Sequence, residues 1–556
     1  MIVSLFNDVI GPVMRGPSSS HCAAALRIGR LARDLMDGDL REVLVEFDRA
    51  GSLPTTHETQ GSDMGLFGGL LGWDAADERL PHSARALRDA GVVVRIETID
   101  AGDPHPNTYR LTLVNDRERH SLRAISTGGG MMQVIDLDGF PVSLGGDFYE
   151  TLLWLAGDRD GNGNGDTAAL AERLSALPSV DDVVLHRSAA GCLVQVKGSR
   201  FVEEARVGPW LPGVTIRAIK RLAPVLPVLS RRNLAVPFAT CAEMLERDAG
   251  RNTPLWRLAV EYEMARGNLS EAAVAERMLE IVRLLRRSIA QGVAGTNYDD
   301  RILGHQSGRF GERMKAGRLL DAGALNRILL YVTALMEVKS AMGVIVAAPT
   351  AGACAALPGA VIAVAEEMGL DENAMVRAML AAGLIGVFIA TRWTFAAEVG
   401  GCQAEGGSAA SMAAAALVTL ADGTLAQSVA AASMALQSML GLICDPVASR
   451  VEVPCLGKNV MAASNALGCA NLALADFDPV IPLDEVIEAA KRVAEQMPRE
   501  LRCTALGGLA VTPTALALER RLAAGRASNC GAGCGCASPV PAAAASIVPA
   551  GFANRP

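Results

Sequence analysis

Apolar residues recur with a helical period in some parts of the chain and alternate in others. The run 21–36, HCAAALRIGRLARDLM, repeats apolar residues every three or four positions and predicts an amphipathic helix. Three serines directly before it can cap its first amides. Strand patterns follow at 92–99 and 107–115. Residues 1–150 are therefore predicted to form a mixed domain of helices and strands.

Residues 151–222 predict a smaller module in the order strand, helix, strand, strand and strand, with a turn-rich loop at 158–166. This order resembles a ferredoxin-like or ACT-type module. A second helix of that module has only residues 199–213 available to it. The proline-bearing segment 223–239 is predicted to be a linker.

Helical periodicity dominates residues 240–525, where alanine and glycine allow close contacts between helices. From residue 526 the chain is low in complexity, and we expect a disordered tail over 526–556. The predicted fold class is α+β. A mixed N-terminal domain with the ACT-like module is followed by a large, mainly α-helical catalytic domain.

The composition of the chain argues against some classes of binding partner. The chain has 556 residues and a formal net charge of -8, which offers no general electrostatic reason to bind nucleic acid or an anionic membrane. A small-molecule partner is the better expectation. Twelve cysteines without framework spacing, and no cleavable hydrophobic leader, favour a reducing, cytoplasmic location.

Three stretches without charged residues raise the question of a membrane: 378–391, 406–421 and 423–444. The first two are shorter than the roughly 18–20 apolar residues that a span needs, and the third carries several serine and glutamine residues. We interpret all three as buried helices that pack through small residues.

Three cysteines stand in turn-like surroundings: Cys402 in GGCQAE, Cys444 in LICDPV and Cys455 in VEVPC. Their spacings, C-x41-C and C-x10-C, are much looser than those of zinc ribbons, so the local context carries the signal. Three loop thiols that converge could hold a four-iron cluster and leave one iron open as a Lewis acid. Alternatively, they are ordinary buried cysteines.

Two further segments carry candidate binding chemistry. In RGPSSSHCAAALRIGR, at 15–30, serine hydroxyls and free amides before a helix could bind a carboxylate, and His21 lies in the first turn. The alternative is a capped helix with a surface histidine. In APTAGACAALPGA, Thr350 could cap a helix and Gly352 permits close approach of an anion.

These segments together resemble the iron-sulfur-dependent L-serine dehydratases (L-serine ammonia-lyases), in a single-chain form with the β-type part first and the α-type part second. The resemblance spans nearly the whole chain. Eight elements occur in the family's order: RGPSSSH, HPNT, STGGG, AAPTAGAC, GGCQAE, CDPV, VPC and MPRELRCTALGGLAVTPT.

The resemblance implies a 4Fe-4S cluster on Cys402, Cys444 and Cys455, and no pyridoxal phosphate. It places the SSSH stretch, Ser18, Ser19, Ser20 and His21, near the substrate carboxylate, and Thr350 and Gly352 in a second substrate-facing loop. It further implies α,β-elimination of L-serine to pyruvate and ammonia, a role in amino-acid degradation and gluconeogenesis, and a homodimer.

The chain departs from the family where the substrate would lie. Family members usually carry TGKGH-T-D, but here the run is GSLPTTHETQGSD, with Gln60 at the histidine position and Glu58 at the lysine position. An amide cannot act as a general base. His57 is our first candidate for that role, His21 the second and Glu58 the third, with Asp63 as an orienting group.

Two cations stand where the family tends to have other residues: Lys339 in EVKSAMG and Arg392 in IATRWTF. If both face the cavity, they favour a β-hydroxy amino acid with a second acidic group over serine. Otherwise they pair with carboxylates such as Glu337 or Glu398.

The tail carries Cys530, Cys534 and Cys536, any of which could reach the free iron, as a C-terminal cysteine does in some relatives. A rival of another class is therefore a noncatalytic metal-binding or redox-sensing protein with this tail as its functional part. The six remaining cysteines are predicted to be packing residues: Cys22, Cys192, Cys241, Cys354, Cys469 and Cys503.

Overall fold

A six-stranded sheet forms the centre of the N-terminal region in the computed structural model, which describes residues 2–155, 164–188, 191–203, 210 and 216–529. The strand order is β3-β2-β4-β5-β6-β7, with β2 and β3 parallel and the other pairs antiparallel. The strands are β2 Glu42–Asp48, β3 Val93–Ile99, β4 Thr108–Val114, β5 Arg119–Gly128, β6 Met131–Leu137 and β7 Phe140–Leu144. The strands predicted at 92–99 and 107–115 are confirmed as β3 and β4.

Four helices accompany this sheet: α1 Ala24–Leu35, α2 Leu53–Thr56, α3 Ser62–Leu70 and α4 Ser83–Asp89. Helix α1 confirms the amphipathic helix predicted at 21–36, although a π-helical turn, Ser19–Ala23, precedes it. Helices α1 and α3 approach so closely that a Cβ on Gly69 would lie 2.1 Å from the carbonyl oxygen of Leu26. Glycine at this position therefore sets the distance between the two helices.

A four-stranded antiparallel sheet of order β11-β8-β10-β9 forms the second module. Its elements are β8 Tyr149–Leu155, α5 Asn164–Ser175, β9 Val180–Ser188, β10 Gly191–Gly198 and β11 Ile216–Leu222. This is the predicted order of strand, helix and three strands. The second helix, predicted within 199–213, falls mostly outside the described residues.

The remainder of the described chain is mainly helical. Its helices are α6 Cys241–Asp248, α7 Leu255–Gly267, α8 Glu271–Ala294, α9 Ser307–Lys315, α10 Ala324–Ser340, α11 Ala356–Glu367, α12 Glu372–Arg392, α13 Ala397–Gly400, α14 Ser408–Leu420, α15 Leu425–Gln437, α16 Cys455–Leu474, α17 Leu483–Gln496 and α18 Pro513–Asn529. A π-helical turn, Gln403–Gly407, leads into α14. The α+β fold class is thus confirmed.

Helix α12 is the one helix among the described residues that is long and apolar enough to cross a membrane. Most of it is buried inside the protein, and it packs in the largest hydrophobic core. The three uncharged stretches noted in the sequence lie in or around α12, α14 and α15, as predicted for buried helices.

The N-terminal segment packs into the helical region rather than into its own sheet. Strand β1, Val13–Met14, pairs with β12, Ile345–Val346. On helix α7, the buried carboxylate of Glu263 accepts hydrogen bonds from the Ser4 hydroxyl at 2.6 Å and the Leu5 amide at 2.9 Å. This anchoring fixes the loop that follows β1 against the helices.

At the C-terminal end, α18 continues to Asn529, so the start of the tail predicted at 526 is corrected by a few residues. Gly525 is a possible stop signal, but α18 continues through it, because a single glycine inside a helix costs only about 1 kcal/mol. The rest of the predicted tail, including Cys530, Cys534 and Cys536, lies outside the described residues.

We expect Gly69→Ala to destabilise the protein by about 1–3 kcal/mol, because the added methyl group would overpack the α1–α3 contact. The thermal unfolding midpoint of the metal-free protein measures this. Gly468→Ala is the matched control, since a Cβ there meets nothing within 4 Å on helix α16 and alanine is the better helix former. Equal midpoints for the two variants would contradict the role assigned to Gly69.

Candidate active site

Cys402, Cys444 and Cys455 come together at one buried place. Each is 4% exposed. The Sγ atoms of Cys402 and Cys444 and a carboxylate oxygen of Glu405 all lie within 4.8 Å of one another. Burial raises the pKa of the Cys455 thiol, Lys339 opposes this, and the nearby Cys402 raises it further. Cys402 and Cys444 therefore lie side by side, and Cys455 is close enough to Cys402 for their charges to interact.

Gln403 holds the loops that carry two of these cysteines. Its backbone amide donates to the carbonyl oxygen of Leu442 at 2.9 Å, and its side-chain oxygen accepts from the amide of Gly441 at 2.9 Å. The segment before Cys444 is thereby tied to the turn that carries Cys402. Side-chain amides suit this task because they donate and accept at once.

Cys503 lies with these cysteines, which corrects its assignment to packing. Its side chain packs with those of Cys402 and Cys444, and each of the three is 4% exposed. Two backbone hydrogen bonds join the segment of Cys503 to that of Cys444. The Cys444 amide donates to the carbonyl oxygen of Leu501 at 2.8 Å, and the Cys503 amide donates to the carbonyl oxygen of Cys444 at 3.0 Å. We call Cys402, Cys444, Cys455 and Cys503 the cysteine site.

Two lysines place positive charge beside the cysteine site. The ammonium group of Lys458 donates to Asp445 at 2.6 Å and lies 3.6 Å from the sulfur of Cys402. Lys339 is 1% exposed and donates to the carbonyl oxygen of Val451. Cations at these positions stabilise thiolates over thiols.

Glu405 lies between the cysteine site and the loop that carries Thr350 and Gly352. A Cβ on Gly352 would stand 2.7 Å from a carboxylate oxygen of Glu405, so only glycine fits against this carboxylate. Burial raises the pKa of Glu405, while a hydrogen bond from Thr350 and the charges of Lys339 and Lys458 lower it.

His21 is fully buried, which excludes the alternative of a surface histidine. Its Nδ1 lies 3.1 Å from the Ser18 hydroxyl and 3.3 Å from a carboxylate oxygen of Glu398, and its Nε2 lies 2.9 Å from the Thr56 hydroxyl. Burial lowers the pKa of His21 to about 3. Burial also raises the pKa of Glu398 to about 7.

The hydrogen bonds assign the tautomer of this neutral histidine. The Thr56 hydroxyl donates its one proton to the carbonyl oxygen of Ser52 at 2.7 Å. It must therefore accept from His21 Nε2, which carries the ring proton, and His21 Nδ1 is left as an acceptor. The Ser18 hydroxyl, at 3.1 Å, and a protonated Glu398, at 3.3 Å, are alternative donors to that Nδ1.

The Asn107 side chain approaches the Glu398 carboxylate and lowers its pKa, although neither Asn107 Nδ2 nor Glu398 Oε2 makes a well-formed hydrogen bond with a described residue. Glu398 lines a cavity of about 260 Å³ together with Ser52, Arg502 and Thr504. Buried polar groups in folded proteins are nearly always paired. The weak geometry of this Asn107–Glu398 contact leaves hydrogen-bonding capacity beside the cavity.

The three serines do not cap helix α1, which corrects that expectation. Ser18 contacts His21, the Ser19 hydroxyl accepts from the amide of Ala351 at 3.0 Å, and the backbone carbonyl of Ser20 accepts from the Ser126 hydroxyl. The long-range contacts compete with local capping and win because the N-terminal segment is fixed between two domains. The SSSH stretch and the loop at 350–352 thus meet.

His57 and Asp63 form a separate pair next to His21. Both carboxylate oxygens of Asp63 lie within 2.9 Å of His57 Nδ1, and the ring packs on Phe47. Burial lowers the pKa of His57, but the hydrogen bond and charge of Asp63, with the charge of Glu58, outweigh it, so the pKa is raised. Glu58 itself is exposed, at the mouth of another cavity that Lys339 lines.

Arg392 is not brought to the cysteine site. Its guanidinium lies within 3.5 Å of Asp484 and 3.4 Å of Glu488, in a surface groove formed with helices α15 and α17. The partners suggested from the sequence, Glu337 and Glu398, are engaged by other residues. Of the two added cations, Lys339 alone stands beside the site.

The structure thus assembles most of the predicted site. It brings together Ser18, Ser19, Ser20, His21, Lys339, Thr350, Gly352, Cys402, Cys444 and Cys455, with His57 and Asp63 behind His21. Sequence reasoning did not single out Asn107, Glu398, Glu405, Lys458 and Cys503 as site residues. Their positions within HPNT, AAEVGGCQAE and MPRELRCTALGGLA were the available signal.

Buried thiols, flanking lysines and an acid–base pair beside a small cavity are features of an enzyme with a metal centre. The sequence model of the family described as "Serine dehydratase alpha chain" matches residues 250–510, which include Cys402, Cys444, Cys455 and Cys503.

Named relatives agree with that match. The "Probable L-serine dehydratase, alpha chain" of Bacillus subtilis is 35% identical over 52% of this chain and 96% of its own length. The corresponding beta chain is 37% identical over 30% of this chain and 74% of its own. "L-serine dehydratase 2" of Escherichia coli is 27% identical over 89% of this chain and 96% of its own. The chain therefore belongs to the L-serine dehydratase family, and the resemblance read from its motifs is confirmed.

We expect Lys458→Met to destabilise the metal-free protein by about 3 kcal/mol, because it leaves the buried carboxylate of Asp445 without its cation. Denaturant unfolding measures the change. Lys491→Met is the matched control, since Lys491 is an exposed lysine on helix α17. A loss of stability no larger than that of the control would show that the Lys458–Asp445 pair contributes little.

Proposed function

We propose that the protein is an iron–sulfur-dependent lyase that deaminates L-serine to pyruvate and ammonia by α,β-elimination. The single observation that carries this proposal is the convergence of Cys402, Cys444 and Cys455 beside the His21–Glu398 pair. The names of the relatives supply the substrate. We include a cytoplasmic location and a homodimer in the proposal, as the resemblance implies.

The donor chemistry of the site fits a 4Fe-4S cluster held by Cys402, Cys444 and Cys455. Thiolates are the usual ligands of such clusters, and none of the described cysteines is engaged in a disulfide. Lys339 and Lys458 compensate the negative charge that deprotonated thiols bring. When bound, a cluster with three thiolate ligands supplies a Lewis-acid iron that makes a hydroxyl group a better leaving group.

We assign the removal of the Cα proton to Glu398. Its side chain lines the cavity, and its Oε1 lies 3.3 Å from His21 Nδ1. The proton passes from Cα to the carboxylate, the electron pair of that bond forms the Cα=Cβ double bond, and hydroxide leaves Cβ. The aminoacrylate product then tautomerises and hydrolyses to pyruvate and ammonium.

His21 is a positioning residue in this assignment. Its Nδ1 accepts a hydrogen bond from Glu398 once the carboxylate has taken the proton, because Thr56 fixes the ring proton on Nε2. Gln60 occupies the place of the family's histidine and cannot take a proton. His57 remains the second candidate for the base and Glu58, which is exposed, the third.

The substrate carboxylate is assigned to the meeting point of the SSSH stretch and the 350–352 loop. The Ser19–Ala351 hydrogen bond joins these two segments. The Asn107 side-chain amide, which approaches Glu398 without a well-formed hydrogen bond, is a further N–H donor close to this region. Charged oxygens make the stronger hydrogen bonds with such donors.

Serine is favoured over a more acidic β-hydroxy amino acid. That alternative required both added cations to face the substrate, and the Arg392 guanidinium is paired with Asp484 and Glu488 elsewhere. A noncatalytic sensor built on the C-terminal tail has no observation in its favour, because the tail cysteines lie outside the described residues.

Anaerobic reconstitution with iron and sulfide, followed by a pyruvate assay with L-serine, tests the function. We expect turnover by the wild type and by Cys469→Ser, and none by Cys402→Ser, Cys444→Ser or Cys455→Ser. Cys469 is a suitable control because its thiol lies 3.5 Å from Asn465 on its own helix, α16, and is not part of the cysteine site. Faster turnover of 3-hydroxyaspartate than of serine would support the acidic alternative instead.

Glu398→Gln should lower kcat/KM by about 10²–10⁴-fold, the usual contribution of a general base. In the wild type the carboxyl group is protonated below its pKa of about 7 and cannot accept a proton, so kcat/KM should fall as the pH drops through 7. The variant should lose this acidic limb. If His57→Gln abolishes activity and Glu398→Gln does not, His57 is the base.

A further inference from the structure

The cysteine site contains four thiols, one more than the proposed cluster needs if an iron is to stay open. Cys503 comes from a segment 48 residues beyond Cys455 in sequence. It is 4% exposed, and its sulfur contacts that of Cys444. A fourth donor of the same chemistry in the same enclosed volume requires an explanation.

The backbone is shaped to hold Cys503 in place. Cys503 has a φ of 60° and Ala505 a φ of 56°, left-handed values that residues with a side chain adopt only when the surroundings enforce them. The enforcing contacts are the two backbone hydrogen bonds between the Cys444 and Cys503 segments.

Gln60 completes the surroundings of the Cys503 sulfur. Its side-chain amide nitrogen lies 3.6 Å from Sγ, and Gln60 is 1% exposed. The amide oxygen of the same side chain lies 3.9 Å from Sγ, so Gln60 can accept from the thiol or donate its N–H to the metal-binding thiolate. The family's histidine position is thus occupied by a residue that supports a sulfur ligand.

We propose that Cys503 is a fourth thiolate ligand of the cluster in the substrate-free protein and gives up that place to the substrate hydroxyl. The inference rests on the proposed function. The exchange breaks one metal–sulfur bond and forms one metal–oxygen bond, without oxidation or reduction. The released thiolate takes one proton from solvent. The described residues thus supply the fourth ligand without the tail cysteines.

The test measures iron retention rather than turnover. Wild type, Cys503→Ser, Cys503→Ala, Cys469→Ser and a chain lacking residues 526–556 are reconstituted anaerobically and then exposed to air. Iron per chain and the electron paramagnetic resonance signal of three-iron clusters are followed over time. Circular dichroism before reconstitution shows which variants have folded.

We expect both Cys503 variants to lose iron at least about ten-fold faster than the wild type, the order of effect seen when the support of a metal site is removed. The Cys469→Ser variant and the truncated chain should behave like the wild type. The KM for serine should fall in Cys503→Ala, because the competing ligand is gone.

Three results separate the possibilities. Iron loss from both Cys503 variants at the wild-type rate overturns the proposal and leaves the proposed function standing. Rapid loss from the truncated chain alone assigns the fourth ligand to the tail and also overturns it. A wild type that binds no iron at all removes the proposed function itself.

Discussion

The contact between segment 18–21 and the helical region is the constraint on which the site depends. The amide of Ala351 donates to Ser19, and His21 meets Glu398 across the same junction. These contacts remove water from a histidine and a carboxylate at once. Burial disfavours the charged form of each, so the pKa of His21 falls and that of Glu398 rises. The acid–base chemistry is thus a property of the junction, and neither half of the chain has it alone.

Small residues make this junction possible. Helices α1 and α3 lie close enough that Gly65 and Gly69 contact backbone atoms of the facing helix. Gly352 likewise leaves room for the carboxylate of Glu405 to lie against the backbone. Two π-helical turns, Ser19–Ala23 and Gln403–Gly407, lead into helices at the site. Such turns are frequent at functional sites because they redirect side chains without ending the helix.

Local patterns in the sequence were sufficient to predict several secondary-structure elements and part of the candidate site. Alternation predicted strands β3 and β4, and turn residues around Cys402, Cys444 and Cys455 predicted thiols in loops that converge. Each of these signals lies within about ten residues. The family motifs then placed the loops near one another.

What the sequence could not reveal depends on contacts between distant segments. Cys503 is an isolated cysteine, and its neighbour in space, Cys444, lies 59 residues earlier. Nothing local in the sequence marks the backbone β-bridge between Cys444 and Arg502 that brings the two segments together. The serines before α1 have the composition of a helix cap, yet their hydroxyls are used across the domain junction. Arg392 has the charge for an anion site, but its direction is set by Asp484 on another helix. Side-chain direction is a tertiary property that periodicity does not contain.

In the proposed mechanism, the positions of the protons around His21 and Glu398 explain how the chain can lack a histidine at position 60. The Thr56 hydroxyl has one proton and donates it to Ser52, so His21 keeps its proton on Nε2 and presents a lone pair at Nδ1. An ionised Glu398 facing that lone pair is poorly solvated, whereas a protonated Glu398 gains a hydrogen bond. The site therefore favours the state that follows proton transfer, which is the requirement for a base acting on a carbon acid. In the proposed mechanism the Glu398 carboxylate takes the proton, so residue 60 does not have to be a base. The Gln60 side chain instead contacts the sulfur of Cys503.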